Sequence, residues 1–351
     1  MDLAVVTSYG RYFTAKNTIY CFESLHEILK YNLKSYYNIP DENFYSELSD
    51  VPGNAAVLHI VEECVDIPKE ITDDILNEYK TTGNIKIYDK ENKKIIAEVY
   101  KNDNAEFKNY TVDYACAKNF KELREKNTRA QEKIIEQFEE NGVQFVSPDG
   151  VGISPLAEIG QGVVIYQGTI IRGNSKIGKN SILGPNTLIN NSIIGENCVI
   201  NSTQIYSSTV ENNVATGPFC HIRPNCVIKN GVHLGNFVEV KNSTVGENTK
   251  AGHLTYIGDS DVGRDVNFGC GSITVNYDGL KKARCKIGDR AFIGSNANLI
   301  AVPDGIEIGD DAYIAGGSTI TKNVPAGVLA ISRAREQKII DGWVAEHKNK
   351  K

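Results

Sequence analysis

Residues 217–263 read GPFCHIRPNCVIKNGVHLGNFVEVKNSTVGENTKAGHLTYIGDSDVG, and an aliphatic residue returns in this stretch at about every sixth position. The same period runs from residue 159 to residue 326, with a one-residue slip at Ile194. Neither an α-helix nor a hairpin sheet has this period, whereas the hexapeptide repeats of a parallel β-helix do. We therefore predict a parallel β-helix over residues 146–326. Aliphatic residues would fill its narrow core, and the Gly or Asn after each would form a tight corner.

The rest of the chain divides into three further segments. Residues 1–115 lack the repeat and predict a small α/β domain. Its expected elements are strands over 3–7 and 55–60, helices over 24–37 and 68–80, and a hairpin from 85–88 and 94–100. Residues 116–145 predict a linking helix over 118–141, ended by Asn141-Gly142. Its apolar stripe comprises Phe120, Leu123, Ile134, Ile135 and Phe138. Residues 327–351 form a C-terminal tail.

Composition excludes several classes of protein. The net charge of −6 and the pI near 5.6, without a basic stripe, argue against a nucleic-acid-binding protein. No segment is long and apolar enough for a membrane span. Residues 1–13 have neither a basic start nor a long apolar core, so they do not form a secretion signal. We expect a cytoplasmic protein.

The eight cysteines do not predict a metal site. None of them forms a CxxC or similar zinc-binding spacing. Cys198, Cys220 and Cys226 fall at repeat positions that Val, Thr or Ser occupy elsewhere. We therefore interpret these three as small core residues.

Outward positions collect polar side chains near the middle of the predicted β-helix. Three hexapeptides make one coil, so residues 18 apart stack about 4.8 Å apart. Arg223 and Lys241 stack in this way, and like charges so placed repel. Either the two side chains splay into solvent, or an anion such as a phosphate lies between them.

Allowing for a one-residue slip at Val245, three columns of side chains lie near this pair. They are His221, Glu239 and Tyr256; Asn236, His253 and Cys270; and His233, Lys250 and Asn267. His253 is a candidate general base, because an unperturbed histidine pKa near 6.5 suits proton removal at neutral pH. Residues 275–285, VNYDGLKKARC, interrupt the repeat and must leave the β-helix as a loop, which can carry function.

Six runs give the chain a specific resemblance. They are GPFCHIRP (217–224), LGNFVEVKN (234–242), KAGHLTYIGD (250–259), VNFGCGSITVNYDG (266–279), AFIGSNANLIA (291–301) and LAISRAREQK (329–338). With them the chain resembles the acetyltransferase domain of the bifunctional UDP-N-acetylglucosamine pyrophosphorylase/glucosamine-1-phosphate N-acetyltransferase family. The resemblance implies a left-handed parallel β-helix that forms a homotrimer, with active sites between neighbouring subunits.

The resemblance also implies residue roles. His253 would take the proton from the amine of glucosamine 1-phosphate, and Glu239 would support His253. Three cations would bind the sugar phosphate: Arg223, Lys241 and Lys282. Two residues would position the sugar: Tyr256 and Asn267. The acetyl-CoA positions would be Cys270, Asn276, Tyr277, Ser295, Gly316 and Arg333. Cys270 stands where the family commonly has Ala. Acetyl transfer would need no metal.

The front domain, residues 1–115, departs from this family. The family's pyrophosphorylase domain is about twice as long as the front domain and begins with a Gly-rich phosphate loop, where this chain has only Ser8-Tyr9-Gly10-Arg11. Asn127, in Asn-Thr-Arg-Ala-Gln, resembles a magnesium-binding position of that family, but the chain lacks the metal-binding Asp in its expected place after the strand over 55–60. We interpret residues 1–115 as a shortened remnant or a substitute and expect no uridylyl transfer.

The predicted function is N-acetylation of glucosamine 1-phosphate, a step toward UDP-N-acetylglucosamine and cell-wall precursors. One alternative is an N-acyltransferase for another amino sugar or sugar nucleotide. Another is a trimeric scaffold without catalysis. A metal enzyme would need three converging histidines, and His221, His233 and His253 fall in three different columns.

Overall fold

The computed structural model describes residues 3–8, 19–20, 23–24, 44–45, 56–61, 69–89, 95–100, 107–112 and 120–333. The chain forms two compact units, one of residues 1–177 with 188–191 and the other of residues 178–187 with 192–351. None of the described helices has the length and apolar character that crossing a membrane requires.

The first unit begins with a mixed α/β arrangement, as expected. Its elements are β1 Leu3–Ser8, β2 Ile19–Tyr20, β3 Glu23–Ser24, β4 Phe44–Tyr45, β5 Ala56–Val61, α1 Lys69–Thr82, β6 Ile85–Asp89, β7 Ile95–Tyr100, β8 Lys108–Val112 and α2 Phe120–Glu140. Six strands form a sheet in the order β4-β1-β5-β7-β6-β8, and β2 pairs with β3. Strand β7 runs antiparallel to β5 and β6, and the other pairs in the six-stranded sheet are parallel.

Most of the predicted front-domain elements are present. The helix expected over 68–80 is α1, and it ends at Gly83, whose φ is +83° and whose N–H donates to the Tyr79 carbonyl at 2.9 Å. The expected hairpin is the β6–β7 pair. Apart from Ser24 at the end of β3, the helix expected over 24–37 lies outside the described residues.

Helix α2 lies where the linking helix was predicted, but its apolar stripe is shorter. Leu123 is buried, whereas Phe120 is 63% exposed, so its assignment to the stripe is wrong. Helical side chains lean toward the N-terminus, so the first residue of α2 projects past the end of the helix. Gln131 is buried instead. Its amide donates to the Ile153 carbonyl at 2.9 Å and accepts from the Ile153 N–H at 2.8 Å.

The prediction of a parallel β-helix is confirmed. In the first unit its strands form three parallel ladders: Gly152–Ile153, Ile170–Arg172 and Leu188–Asn190; Glu158–Ile159 and Lys176–Ile177; Gln144–Phe145 and Val164–Ile165. In each ladder, consecutive strands come from consecutive coils.

In the second unit, the coils have three faces among the described residues. The first face contains Gln204–Tyr206, His221–Ile222, Glu239–Lys241, Tyr256–Gly258, Ile273–Val275, Asn298–Ile300 and Thr319–Ile320. The second face contains Ile193–Ile194, Thr209–Val210, Val227–Ile228, Thr244–Val245, Ser260–Val262, Cys285–Ile287 and Ile306–Ile308. The third face contains Ile182–Leu183, Val199–Ile200, Ala215–Thr216, His233–Asn236, Lys250–His253, Asn267–Phe268, Phe292–Ile293, Tyr313–Ile314 and Leu329–Ala330.

The interior and corners follow the repeat. The aliphatic repeat residues are buried, as Ile222, Val240 and Ile257 at 0% exposure illustrate. Asn residues occupy many left-handed corners, where the short polar side chain tolerates a positive φ. The three cysteines predicted to be core residues are buried, and burial raises the pKa of the Cys220 thiol to about 12. These thiols stay protonated and fill space.

Candidate active site

The predicted columns of polar side chains are present. On the first face, Glu239 pairs with His221 on one side and with Tyr256 on the other. On the third face, Lys250 lies between His233 and Asn267. The one-residue slip at Val245 is also confirmed, because Val245 pairs with Ile228, 17 residues before it.

The column predicted from Asn236, His253 and Cys270 extends into a longer row along the corner that joins the third face to the first. Asn236 pairs with His253. Backbone hydrogen bonds of 2.7–3.0 Å continue this corner from coil to coil. The N–H groups of Leu254, Gly271, Asn296 and Gly317 donate, in that order, to the carbonyls of Asn236, Leu254, Cys270 and Ser295. The residues just before these four donors, together with Asn236, form what we term the corner row: Asn236, His253, Cys270, Ser295 and Gly316. With coils about 4.8 Å apart, His253 and Gly316 lie roughly 14 Å apart along it.

His253 is exposed and held by a neighbour in the corner row. Its Nδ1 lies 3.1 Å from Oδ1 of Asn236. An amide oxygen can only accept, so this contact puts the imidazole proton on Nδ1 and leaves the Nε2 lone pair free. The sequence placed Asn236 in this column without recognising this orienting contact. Support of His253 by Glu239 stays a prediction, because the Glu239 carboxylate pairs with Arg223.

Each of the two stacked cations is paired with a carboxylate, and binding of a phosphate between them stays a prediction. Arg223 Nη1 lies 3.0 Å from Glu239 Oε1, and Lys241 Nζ lies 3.6 Å from Asp259 Oδ2. A carboxylate of the same chain therefore offsets each charge, which relieves the repulsion expected one coil apart. The Arg223–Glu239 pair is well exposed, whereas the Asp259 side chain is only 6% exposed.

Asp259 was missed by the sequence reasoning. It accepts hydrogen bonds from the side-chain amides of Asn242, at 2.5 Å, and Asn276. Burial opposes its ionisation, but these hydrogen bonds and the charges of Lys241 and Lys282 outweigh burial and hold the pKa of Asp259 below its usual range. The sequence feature that could have identified Asp259 is its place at the end of the GHLTYIGD run. It lies at a corner of the coil, where inward and outward positions do not simply alternate.

The 275–285 segment forms a loop, as predicted, and its fold is fixed. Tyr277 and Lys282 form an antiparallel bridge, and the Ala283 N–H donates to the Asn276 carbonyl at 3.0 Å. Asp278 caps the tip by accepting from the N–H groups of Leu280 and Lys281 at 2.8 and 2.7 Å. Tyr277 and Lys282 remain exposed on this hydrogen-bonded loop.

The predicted coenzyme residues fall into two groups. Cys270, Ser295 and Gly316 belong to the corner row, and Arg333 joins them by donating from Nη1 to the Gly316 carbonyl at 3.0 Å. An added Cβ at Gly316 would come within 3.3 Å of the Ser295 carbonyl oxygen, so space there is limited. Asn276 and Tyr277 belong to the 275–285 loop.

The described residues offer no group of three or more His, Cys, Asp or Glu side chains that could hold a metal ion. Asn127, the predicted magnesium ligand of an active front domain, lies within α2.

Family models match the β-helical region. The model described as bacterial transferase hexapeptide (six repeats) matches residues 157–191 and 207–242, and that described as hexapeptide repeat of succinyl-transferase matches residues 284–322. Proteins named Bifunctional protein GlmU match more of the chain. That of Caldicellulosiruptor saccharolyticus is 43% identical over 272 residues, 78% of this chain and 56% of its own length. That of Streptococcus thermophilus is 49% identical over 196 residues, 56% of this chain and 42% of its own length.

The chain is therefore similar to these GlmU proteins, and its β-helical region matches hexapeptide-repeat models. It spans about half the length of these GlmU relatives. The 272-residue match is longer than the stretch from residue 116 to residue 351, so the similarity to GlmU reaches into the front domain. Among solved structures, the UDP-N-acetylglucosamine acyltransferase of Francisella novicida is 20% identical with a TM-score of 0.31, covering 54% of this chain and 67% of that one.

Proposed function

We propose that the protein is an acetyl-CoA-dependent glucosamine-1-phosphate N-acetyltransferase, acting on the route to UDP-N-acetylglucosamine and cell-wall precursors. The observation that carries this proposal is the corner row, in which an oriented histidine is followed by small residues and then by the Arg333 contact. The relationship to GlmU supports the same reaction.

In the proposed reaction His253 is the general base. Its free Nε2 takes a proton from the sugar amine, whose nitrogen lone pair attacks the thioester carbonyl carbon. The C–N bond forms, the C–S bond breaks, and coenzyme A leaves as a thiolate that is then protonated. Before the transfer Asn236 keeps the imidazole proton on Nδ1 and Nε2 free to accept, because its oxygen cannot donate to Nδ1, and the proton that Nε2 takes can then pass to the leaving thiolate.

The acceptor would cross the first face. Tyr256 and Glu239 occupy one column there, next to the corner with His253. Arg223 and Lys241 lie on the opposite side of that column, two residues further along their strands, roughly 7 Å at 3.3 Å per residue. This spacing suits a sugar with its amine at His253 and its phosphate at the two cations. Lys282 would contribute from the 275–285 loop.

Acetyl-CoA would lie along the corner row. From His253 the path passes Cys270 and Ser295 to Gly316, whose lack of a side chain leaves room for an extended chain. Arg333 lies at the far end and can bind the phosphates of the coenzyme. Asn276 and Tyr277 would contact it from the loop.

The proposed enzyme is a homotrimer. Asn267 projects from the third face, whereas Tyr256, Arg223 and Lys241 belong to the first face. Outward directions on two faces of a coil diverge, so one sugar phosphate cannot contact both sets on a single copy. A neighbouring copy could supply Asn267. Sedimentation should find a trimer, and a fully active monomer would refute this.

The test of the proposed activity is thiol release from acetyl-CoA with a panel of acceptors. Glucosamine 1-phosphate should support turnover, and glucosamine or glucosamine 6-phosphate should do so far less well. Equal turnover of glucosamine and its 1-phosphate would contradict the phosphate site, and a preference for a sugar nucleotide would change the acceptor. The proposed location is the cytoplasm, and the five cysteines described as free thiols fit a reducing compartment.

A further inference from the structure

Asp259 is a nearly buried carboxylate to which the proposed reaction assigns no role. It occupies a left-handed corner, with φ of +46°. Its Oδ1 accepts from Asn242 at 2.5 Å, its Oδ2 accepts from Asn276, and Oδ2 also lies 3.6 Å from Lys241 Nζ. A buried charge is tolerated only when it is paired and hydrogen-bonded, and Asp259 meets both conditions.

The partners of Asp259 belong to two different parts of the proposed site. Lys241 is a proposed ligand of the sugar phosphate, on the first face. Asn276 is a proposed ligand of acetyl-CoA, at the base of the 275–285 loop. The Cys285 N–H donates to the Asp259 carbonyl at 3.1 Å, so the backbone of Asp259 also holds the returning end of the loop.

We propose that Asp259 is a positioning residue that sets the Lys241 ammonium and the Asn276 amide together, and so links the acceptor phosphate site to the coenzyme loop. This inference rests on the proposed function. One oxygen of Asp259 serves both Asn276 and Lys241, so any movement of the loop alters the environment of the ammonium. Binding of either substrate then favours the arrangement that the other needs.

The test is Asp259→Asn. Asn tolerates the left-handed corner and keeps the shape, but it replaces one acceptor oxygen by an NH₂ group that faces other donors. We expect KM to rise roughly tenfold or more for both glucosamine 1-phosphate and acetyl-CoA, the loss expected for a hydrogen bond to a charged group. Since Asp259 contacts Asn242, Asn276 and Lys241 rather than the base His253 or its partner Asn236, kcat should change by less than about threefold.

The matched control is Asp311→Asn. Asp311 is also an ion-paired Asp at a left-handed corner, with φ of +56° and Arg290 Nη2 at 2.7 Å, and it has no proposed role in the site. Both KM values should stay near those of the wild type. A purely structural defect in Asp259→Asn would lower the active fraction, and thus kcat, without raising both KM values.

Asn242→Gly provides a second variant if Asp259→Asn does not fold. Gly suits the +46° φ of Asn242 and removes one donor to Asp259 while leaving the charge. Both KM values should rise about threefold. Trypsin cleavage after Lys281 or Lys282 should also be faster in Asp259→Asn than in Asp311→Asn. This measurement tests whether Asp259 holds the 275–285 loop, and it does not depend on enzyme turnover.

Four results would overturn the inference. A rise in only one KM would show that Asp259 serves one substrate, and unchanged KM values in the folded variant would remove it from the site. If Asp259→Asn does not fold, unchanged KM values in Asn242→Gly would have the same meaning. If the wild type does not acetylate glucosamine 1-phosphate, the proposed function itself fails, and the positioning role fails with it.

Discussion

Arg223→Ala should weaken acceptor binding by more than the loss of one contact. Removing a hydrogen bond to a charged phosphate costs roughly 1.5–3 kcal/mol. The substitution also leaves the Glu239 carboxylate without its partner at 3.0 Å. This exposed carboxylate then repels the phosphate by about 1 kcal/mol, the value for unit charges about 4 Å apart in water. Together these terms reduce affinity by roughly two to three orders of magnitude.

The double variant Arg223→Ala/Glu239→Gln isolates the repulsion. It lacks the same cation but presents no carboxylate, so it should bind glucosamine 1-phosphate about fivefold more tightly than Arg223→Ala, the equivalent of about 1 kcal/mol. Titration calorimetry measures this directly, without dependence on any role of Glu239 in turnover. Affinity for acetyl-CoA should stay near that of the wild type in both variants.

Lys229→Ala is the control for loss of a surface cation. Lys229 Nζ lies 2.7 Å from Glu211 Oε1, and the pair is comparably exposed but lies outside the proposed site. Its removal should leave acceptor affinity unchanged. The reasoning would be refuted if the double variant bound no better than Arg223→Ala, or if Arg223→Ala bound glucosamine 1-phosphate as tightly as the wild type does.

Three further predictions concern the base, the front domain and pH. His253→Ala should lower kcat by roughly two to four orders of magnitude with little change in substrate affinity, and near-normal turnover would remove His253 from the mechanism. No pyrophosphate should be released from UTP and N-acetylglucosamine 1-phosphate by a preparation that acetylates normally, and release co-purifying with acetylation would reveal a working front domain. The depressed pKa of Asp259 stabilises the fold above the ordinary value of 3.8, and this contribution is lost as pH falls through the folded-state pKa. In urea unfolding, the stability gap between wild type and Asp259→Asn should therefore narrow from pH 6 to pH 3, and a constant gap would contradict this assignment.

The fold was predictable because the repeat imposes the same local requirement on every coil. A residue such as Val240 or Ile257 must fill the interior, and that requirement is visible in the sequence. The columns of outward side chains were predictable for the same reason. The length of one coil and the one-residue slip at Val245 are enough to place Tyr256 next to Glu239. The front-domain hairpin followed from alternating apolar residues around a polar turn.

The partners of the charged residues were not predictable in the same way. Arg223 reaches Glu239 on the next coil although their positions along the strands differ, and the repeat says nothing about such diagonal contacts. Asp259 lies at a corner, where neither the inward nor the outward pattern applies. Ser295 and Gly316 could be assigned only by resemblance, because the 275–285 loop interrupts the count that relates them to His253.

The contact between Gln131 and Ile153 has a consequence for how copies of the chain can associate. A strand at the end of a stack exposes N–H and C=O groups to which another chain could add. The Gln131 amide occupies both the N–H and the C=O of Ile153. These two groups are therefore not available to a second copy that would extend the stack end to end into a filament. Association by the sides of the coils does not need those groups and stays open to copies of the chain.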